Sequence, residues 1–275
     1  MNISKPLTLC LAVWGATVTP LAARDYKNVE LLPEHMVLPT AWTQSSAEFK
    51  ALTVSIYNMS KIILDMHLHF AEPSEKPIAV ILDLDETVLD NSPYQAMTVE
   101  RQTGYPYGWF DWVDAAQAKA IPGALDFLHY ADSRGVKIFY LSNRKISKDR
   151  LVPGMQNTLK NLRALGAPQA VESQMYLRSG SSSKEKRRQA IMADHEVVMI
   201  FGDNLNDHSD DFKGKSISER AAAVDTHRER FGVSFIVLPN TMYGEWEGAI
   251  YSGNWRASSQ EKVNMRKAAL QPWRP

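Results

Sequence analysis

Apolar residues recur along this chain in two different periods. Between Ser45 and Phe70, Phe49, Leu52, Ile56, Met59, Ile63 and Met66 return in steps of three and four. That spacing predicts one long amphipathic helix presenting those residues to a core. Ser45 or Ser46 can cap it, and Glu48 suits the positive end of its dipole. From Ile78 onward the pattern changes to unbroken, β-branched runs: "IAVIL" at 78–82, "VKIFYL" at 136–141, "VVMIF" at 197–201 and "VSFIVL" at 233–238. Helix-like segments separate them: "GALDFLHYADSRG" ends in Gly135, "GMQNTLKNLRALG" ends in Gly166, and "KEKRRQAIMADH" precedes Glu196. Continuous apolar strands alternating with helices predict an α/β fold, a Rossmann-like parallel sheet with helices on both faces.

Two additions complete that outline. The segment from Ser92 to Ile121 is rich in Tyr, Trp, Gly and Pro and reads as a small cap insertion after the first strand, at about 92–121. The long helix forms an N-terminal helical extension over 40–70, behind a proline-punctuated lead-in through Pro33 and Pro39. Residues 24–275 are thus expected to form a single domain. His67 and His69 sit two apart on the helix and point in different directions, which argues against a shared metal.

The N-terminus, "MNISKPLTLCLAVWGATVTPLAARDY", has one lysine before an apolar stretch, then Ala22 and Ala23 before Arg24 and Asp25. This is a signal-peptide pattern, giving residues 1–23 as a signal and predicting a periplasmic or secreted protein. The cleavage site is imperfect, because Leu21 is not small; the alternative is a buried N-terminal helix. The only cysteine, Cys10, lies inside this segment, so the mature chain would carry no disulfide. It is preceded by Leu9 and followed by most of the apolar region, the wrong context for a lipid anchor, so no stable membrane anchor is expected. Lys plus Arg and Asp plus Glu are equal at 31 each. No global field therefore favours a nucleic-acid polymer.

The polar residues that follow the strands change the picture most. Asp83 and Asp85 follow the first, Ser142, Asn143 and Arg144 the second, and Gly202, Asp203, Asn204 and Asp207 the third. Lys184 opens a helix between the last two. Parallel sheets bind ligands at the carboxyl ends of their strands. Acids crowded there repel unless a cation or proton intervenes, or unless they lie in solvent. Oxygen ligands from Asp83, Asp85 and Asp203 suit a hard divalent ion, best Mg²⁺. A carboxylate beside such an ion can attack an electrophile such as phosphorus.

The order "DLDET", "SNR", Lys184, "GDNLND" resembles the four motifs of the haloacid dehalogenase superfamily of aspartate-nucleophile phosphatases. "ILDLDETVLDNSPY" and "GDNLND" are similar to the paired signatures of bacterial class C nonspecific acid phosphatases, as are "SAEFKAL", "IPGALDF" and "YGEWEG". The resemblance runs from Ala41 to Gly248. His208 stands where that family usually has Phe.

The resemblance implies an acid phosphatase acting on small phosphomonoesters, nucleoside monophosphates foremost, through an aspartyl-phosphate. Asp83 would be the nucleophile and Asp85 the general acid and then base. Asp85 would meet the metal through its backbone carbonyl, and Asp203 would be the third protein ligand. Asp207 would hold a water on the ion, and Thr87 would support the loop. Ser142 and Asn143 would grip phosphoryl oxygens whose charge Lys184 neutralises. Without the resemblance, Ser142 and Asn143 could be a helix cap, and Lys184, beside Lys186, Arg187 and Arg188, part of a solvated basic face. Asp90 and Asn91 read as a turn element. The cap's aromatic residues read mostly as its own core, with Tyr94 and Tyr243 chosen to stack on a substrate ring. Two alternatives remain: a non-catalytic binding or storage descendant, and a phosphatase for sugar or protein phosphates. A homo-oligomer is left open.

Overall fold

The computed structural model describes residues 34–70, 76–146 and 154–273. The segment expected to be a signal, 1–23 with Cys10, lies outside the described residues. β1 (Ile78–Leu82), β4 (Lys137–Lys145), β5 (Met175–Arg178), β6 (Glu196–Gly202) and β7 (Phe235–Val237) form one parallel sheet in the order β5-β4-β1-β6-β7. Side chains alternate across a strand, so each run feeds two cores. Val80, Leu82, Ile138 and Tyr140 face α2 (Ala47–Phe70), α5 (Ala124–Ser133) and α6 (Gly154–Ala164), burying Leu64, Phe127 and Leu162. Ala79, Ile81, Phe139 and Leu141 face the other way, towards α7 (Glu185–Asp194) and α8 (Ile217–Thr226). A sheet covered on both faces explains why its strands read as unbroken apolar runs.

The predicted helix is α2, capped by Ser46, whose Oγ accepts the Phe49 N–H at 3.0 Å. Its inward face differs from the predicted one. The buried residues are Phe49, Thr53, Tyr57, Ser60 and Leu64, whereas Leu52, Met59 and Met66 are 43%, 55% and 54% exposed. Thr53 and Ser60 can be buried because their hydroxyls donate to the helix's own carbonyls, those of Phe49 (3.1 Å) and Ile56 (2.8 Å). Between them Tyr57 reaches the core, its ring stacked on Phe201 with centroids 5.8 Å apart. Its hydroxyl donates to the Thr87 carbonyl at 2.8 Å, which ties the helix to the loop after β1.

Three further departures have local causes. The lead-in forms a helix of its own, α1 (Glu34–Ser45), with Pro39 inside it. It packs against α3 (Ser92–Glu100) of the insertion, and that tertiary contact outweighs proline's poor propensity. β5, "MYLR", is an edge strand with too short an apolar run, Met175 to Leu177, to stand out. β4 runs on through Ser142–Lys145, so these residues belong to a strand and not to a helix cap.

The insertion is a cap, as predicted. Its entry and exit are closed by an antiparallel ribbon, β2 (Leu89–Asp90) with β3 (Lys119–Ala120). Between them lie α3 and α4 (Trp109–Ala115). Tyr94 packs edge-on against Trp109 at 5.0 Å, and Tyr105 does so at 6.1 Å, making the small aromatic core expected there. Two helices, α9 (Glu245–Ile250) and α10 (Ser259–Ala268), follow β7.

Candidate active site

All the motif residues converge on the carboxyl edge of the sheet. Asp83 follows β1 directly, and its N–H extends the ladder by donating to Phe201 O at 2.9 Å. Asp203 follows β6 directly. Gly202, at the end of β6, has no room for a side chain, because a Cβ there would overlap the Asp207 side chain. Asp207 closes a short turn in which Asn204 N–H donates to Asp207 Oδ2 at 3.1 Å. Lys184 caps α7 and extends its ammonium inwards, only 3% exposed. Nζ pairs closely with Asp83 Oδ1 and lies 2.7 Å from Asp207 Oδ1. Asn240 Nδ2 donates to Asp203 Oδ2 at 2.8 Å.

Carboxylate oxygens of Asp83, Asp203 and Asp207 lie within 4.8 Å of one another. Among the described residues this is the acidic group suited to a metal, and it excludes both His67 and His69. One lysine cannot balance three acids, Asp83 and Asp207 buried and Asp203 half-buried. Burial pushes the Asp83 carboxyl up to about 7, with Asp207 and Asp85 adding to the rise and Lys184 opposing it. Burial, then Asp207 and Asp83, raises Asp203 well above the carboxylate range. Burial works against the Lys184 ammonium, but Asp207 and Asp83 together outweigh it and raise its pKa. The residual negative charge and the all-oxygen donor set fit a hard divalent cation.

A cavity of about 850 Å³ opens over this edge. Asp83, Asp85, Asn143, Lys184, Asp203 and Asp207 line one part of it; α1, the cap, α9 and α10 line the rest. Tyr94 and Tyr243 both reach its wall. Tyr94 is 1% exposed, with its hydroxyl bonded to Tyr107 O at 3.1 Å, while Tyr243 is more open. Ser142 is fully buried beside Asp85, with Oγ 3.3 Å from Asp85 Oδ2. The Asn143 amide is engaged sideways: Nδ2 donates to Ser182 O at 2.9 Å, and Oδ1 accepts from Arg187 at 2.7 Å. The Thr87 carbonyl accepts from Tyr57, which holds the loop, and the buried Thr87 hydroxyl has no hydrogen-bond partner among the described residues. His208 lies behind the acids, its Nε2 3.1 Å from Ile236 O and its ring beside Phe235, and burial lowers its pKa.

Four residues matter more than their motifs suggested. Arg144 and Asn91 both hold Asp85; Asn91 had read as a turn element. Glu86, buried and at φ 59°, accepts from Asn91 N–H at 2.8 Å and Nδ2 at 3.1 Å. Arg187 had read as part of a basic surface. Its guanidinium instead donates to Ser142 O at 2.7 Å and Ser183 O at 3.1 Å, stapling the end of β4 to the start of α7. "DETVLDN" and "SNR" carried three of these residues, but a motif does not reveal which side chains meet.

A parallel sheet with a small cap after its first strand and acids at the ends of β1 and β6 defines a protein of the haloacid dehalogenase (HAD) superfamily. The model for "HAD superfamily, subfamily IIIB (Acid phosphatase)" matches residues 9–246, and the chain belongs to that family of acid phosphatases. It is similar to the class C acid phosphatase from Bacillus anthracis at 43% identity and TM-score 0.82, over 88% of this chain and 99% of the other. The same enzyme with tungstate bound matches at 43% identity and TM-score 0.83, with the same coverage. The non-catalytic alternative is thereby set aside. The protein is a phosphatase of small phosphate substrates.

Proposed function

We propose that this acid phosphatase is exported, depends on a divalent metal, and hydrolyses nucleoside monophosphates through an aspartyl-phosphate. The observation that carries the reading is the meeting of Asp83, Lys184, Asp203 and Asp207 in one cluster, all but Asp203 buried, below a cavity far larger than a phosphate group. Tungstate, a tetrahedral oxyanion like phosphate, binds the Bacillus anthracis relative and supports placing the phosphoryl group here. Asp83 and Asp203 would hold the ion, with the Asp85 carbonyl, Asp207 would hold a water on it, and Mg²⁺ suits these oxygens. Bound there, the ion supplies positive charge that offsets the acids and polarises the phosphoryl group. Asp83 attacks phosphorus, and Asp85 gives its proton to the departing oxygen and then takes one from water. Lys184, and Ser142 with Asn143 once its amide turns inwards, would steady the phosphoryl oxygens. The remaining cavity volume is of the order that holds a nucleoside, with Tyr243 the more accessible of the two aromatic candidates. Export follows from the signal pattern at 1–23 and predicts a periplasmic protein, cut near Ala23, that is released without detergent.

A phosphate-release screen over nucleotides, sugar phosphates and phosphopeptides, with and without chelator, tests the reading. Nucleoside monophosphates should be turned over fastest, and activity should vanish in chelator and return with Mg²⁺. Full activity in chelator would overturn the metal assignment.

Stability gives an independent measure. A carboxyl whose folded pKa lies above its unfolded value contributes stability that is complete below the unfolded value and lost as pH rises through the folded one. Asp83, raised from an ordinary 3.8 to about 7, and Asp203 both behave in this way. In chelator, therefore, these acids should lower Tm as pH rises from about 5 to about 8. A cation that prefers the ionised acids should raise Tm more at the higher pH. Scanning calorimetry with Mg²⁺ or EDTA checks this; a Mg²⁺ increment that does not grow with pH would contradict it.

A further inference from the structure

We infer that Arg144 and Asn91 form a clamp that positions Asp85 for proton transfer, braced from the cap by Trp112. The inference rests on the reading of Asp85 as the general acid. The two Asp85 oxygens are held very unequally. Oδ1 receives Arg144 Nε at 2.9 Å, Arg144 Nη2 at 2.8 Å and Asn91 Nδ2 at 2.9 Å. Among the described residues, Oδ2 has only the Ser142 hydroxyl, at a long 3.3 Å. Three donors on one oxygen fix the rotation of the carboxyl and leave Oδ2 as the oxygen able to carry a proton.

The clamp is itself built in. Arg144 is 3% exposed and Asn91 fully buried. Asn91 is held by Glu86 from one side, and its Oδ1 accepts from Trp112 Nε1 at 2.8 Å and Arg144 Nη2 at 3.3 Å. The Arg144 guanidinium also lies 5.7 Å from the Trp109 ring, which lines the cavity. The cap's two α4 tryptophans thus reach the Asp85 carboxyl through Asn91 and Arg144.

The step this serves balances simply. Asp83 forms the new O–P bond as the ester O–P bond breaks. The electron pair of the broken bond stays on the leaving oxygen, which takes the proton from Asp85 Oδ2. In the second step a water gives a proton back to Oδ2, its oxygen bonds to phosphorus, and the aspartyl O–P bond breaks. A carboxyl free to rotate would present either oxygen and would often present neither at the leaving group.

Leaving-group dependence separates positioning from general structure. kcat/KM reports events up to departure of the leaving group, and an alkoxide needs the proton far more than a nitrophenolate does. Against 5′-AMP and 4-nitrophenyl phosphate, Asp85→Asn should lose kcat/KM steeply on the first ester and little on the second. Arg144→Lys keeps the charge but not the fork. It should lose about 100-fold on the nucleotide and under about 5-fold on the aryl ester, without a matching rise in KM. Trp112→Phe guards against misfolding of the arginine variant, because it removes one hydrogen bond and keeps an aromatic ring. It should lose several-fold on the nucleotide alone, and nothing further when added to Asp85→Asn. Equal losses on both esters for Arg144→Lys and Trp112→Phe, with Asp85→Asn still discriminating, would overturn the clamp alone. An Asp85→Asn enzyme that does not discriminate would remove the acid assignment and the clamp with it.

Discussion

Asp83→Asn is expected to lower kcat by at least about a thousandfold while leaving the protein folded. The substitution keeps the shape of the side chain and removes the attacking charge. The Asp83 carboxyl is 6% exposed and paired with Lys184, so its geometry is set by packing and not by solvent. Folding should tolerate the change. Burial, helped by Asp207 and Asp85, already raises Asp83 to about 7, so ionising it in the metal-free protein costs free energy that a neutral amide does not. The variant's Tm in chelator at neutral pH should therefore equal or exceed that of the parent, while its gain on adding Mg²⁺ should shrink. Phosphate release, intact mass and calorimetry together decide the matter. A tenth of parental turnover in a sample whose mass excludes deamidation would rule out the aspartyl-phosphate.

The sheet was legible because four of its strands carry unbroken apolar runs, as both covered faces require, whereas β5 has only Met175, Tyr176 and Leu177 before Arg178. The α2 face was misread for a related reason. Periodicity weighs Leu52 and Met59 as core and Thr53 and Ser60 as surface, but a hydroxyl bonded to its own helix is a cheap thing to bury. α1 was hidden by Pro39, since its stability comes from contact with the cap. At the site, acids at the ends of apolar strands were visible because little else explains such an arrangement. Arg144 and Asn91 were not. Their roles depend on residues 59 and 6 positions from Asp85 meeting on one oxygen, which follows from β4 running on past Leu141 and the loop folding back at Glu86. Asn143 shows the reverse: its place at the cavity was readable, its engagement with Ser182 and Arg187 was not.

Lys184→Met is expected to destabilise the metal-free protein by about 3–5 kcal/mol near pH 8 and to abolish most activity, because it removes the positive partner of a buried pair and leaves the acids behind. Methionine nearly matches the lysine in length and packs well, so a void is not the main effect. Lys184 touches Asp83 and Asp207 at once, and the two attractions together exceed what burial costs the ammonium, which is why its pKa rises. Without it, Asp83, Asp203 and Asp207 face one another with oxygens inside 4.8 Å and no cation among them. Two conditions should soften the loss. Lower pH protonates Asp83 and Asp203, so the difference from the parent should narrow towards about pH 5. Added Mg²⁺ supplies charge at the same acids, so it should raise the variant's Tm by more than it raises the parent's. Activity should not return with stability, because the ion cannot replace an ammonium aimed at the phosphoryl oxygens; a loss of about 100-fold or more in kcat should persist at saturating Mg²⁺. Paired calorimetry and kinetics across pH separate the two roles. A variant as stable as its parent in chelator at pH 8 would mean the acids are balanced by something other than Lys184, and the charge argument for the site would fail at its central residue.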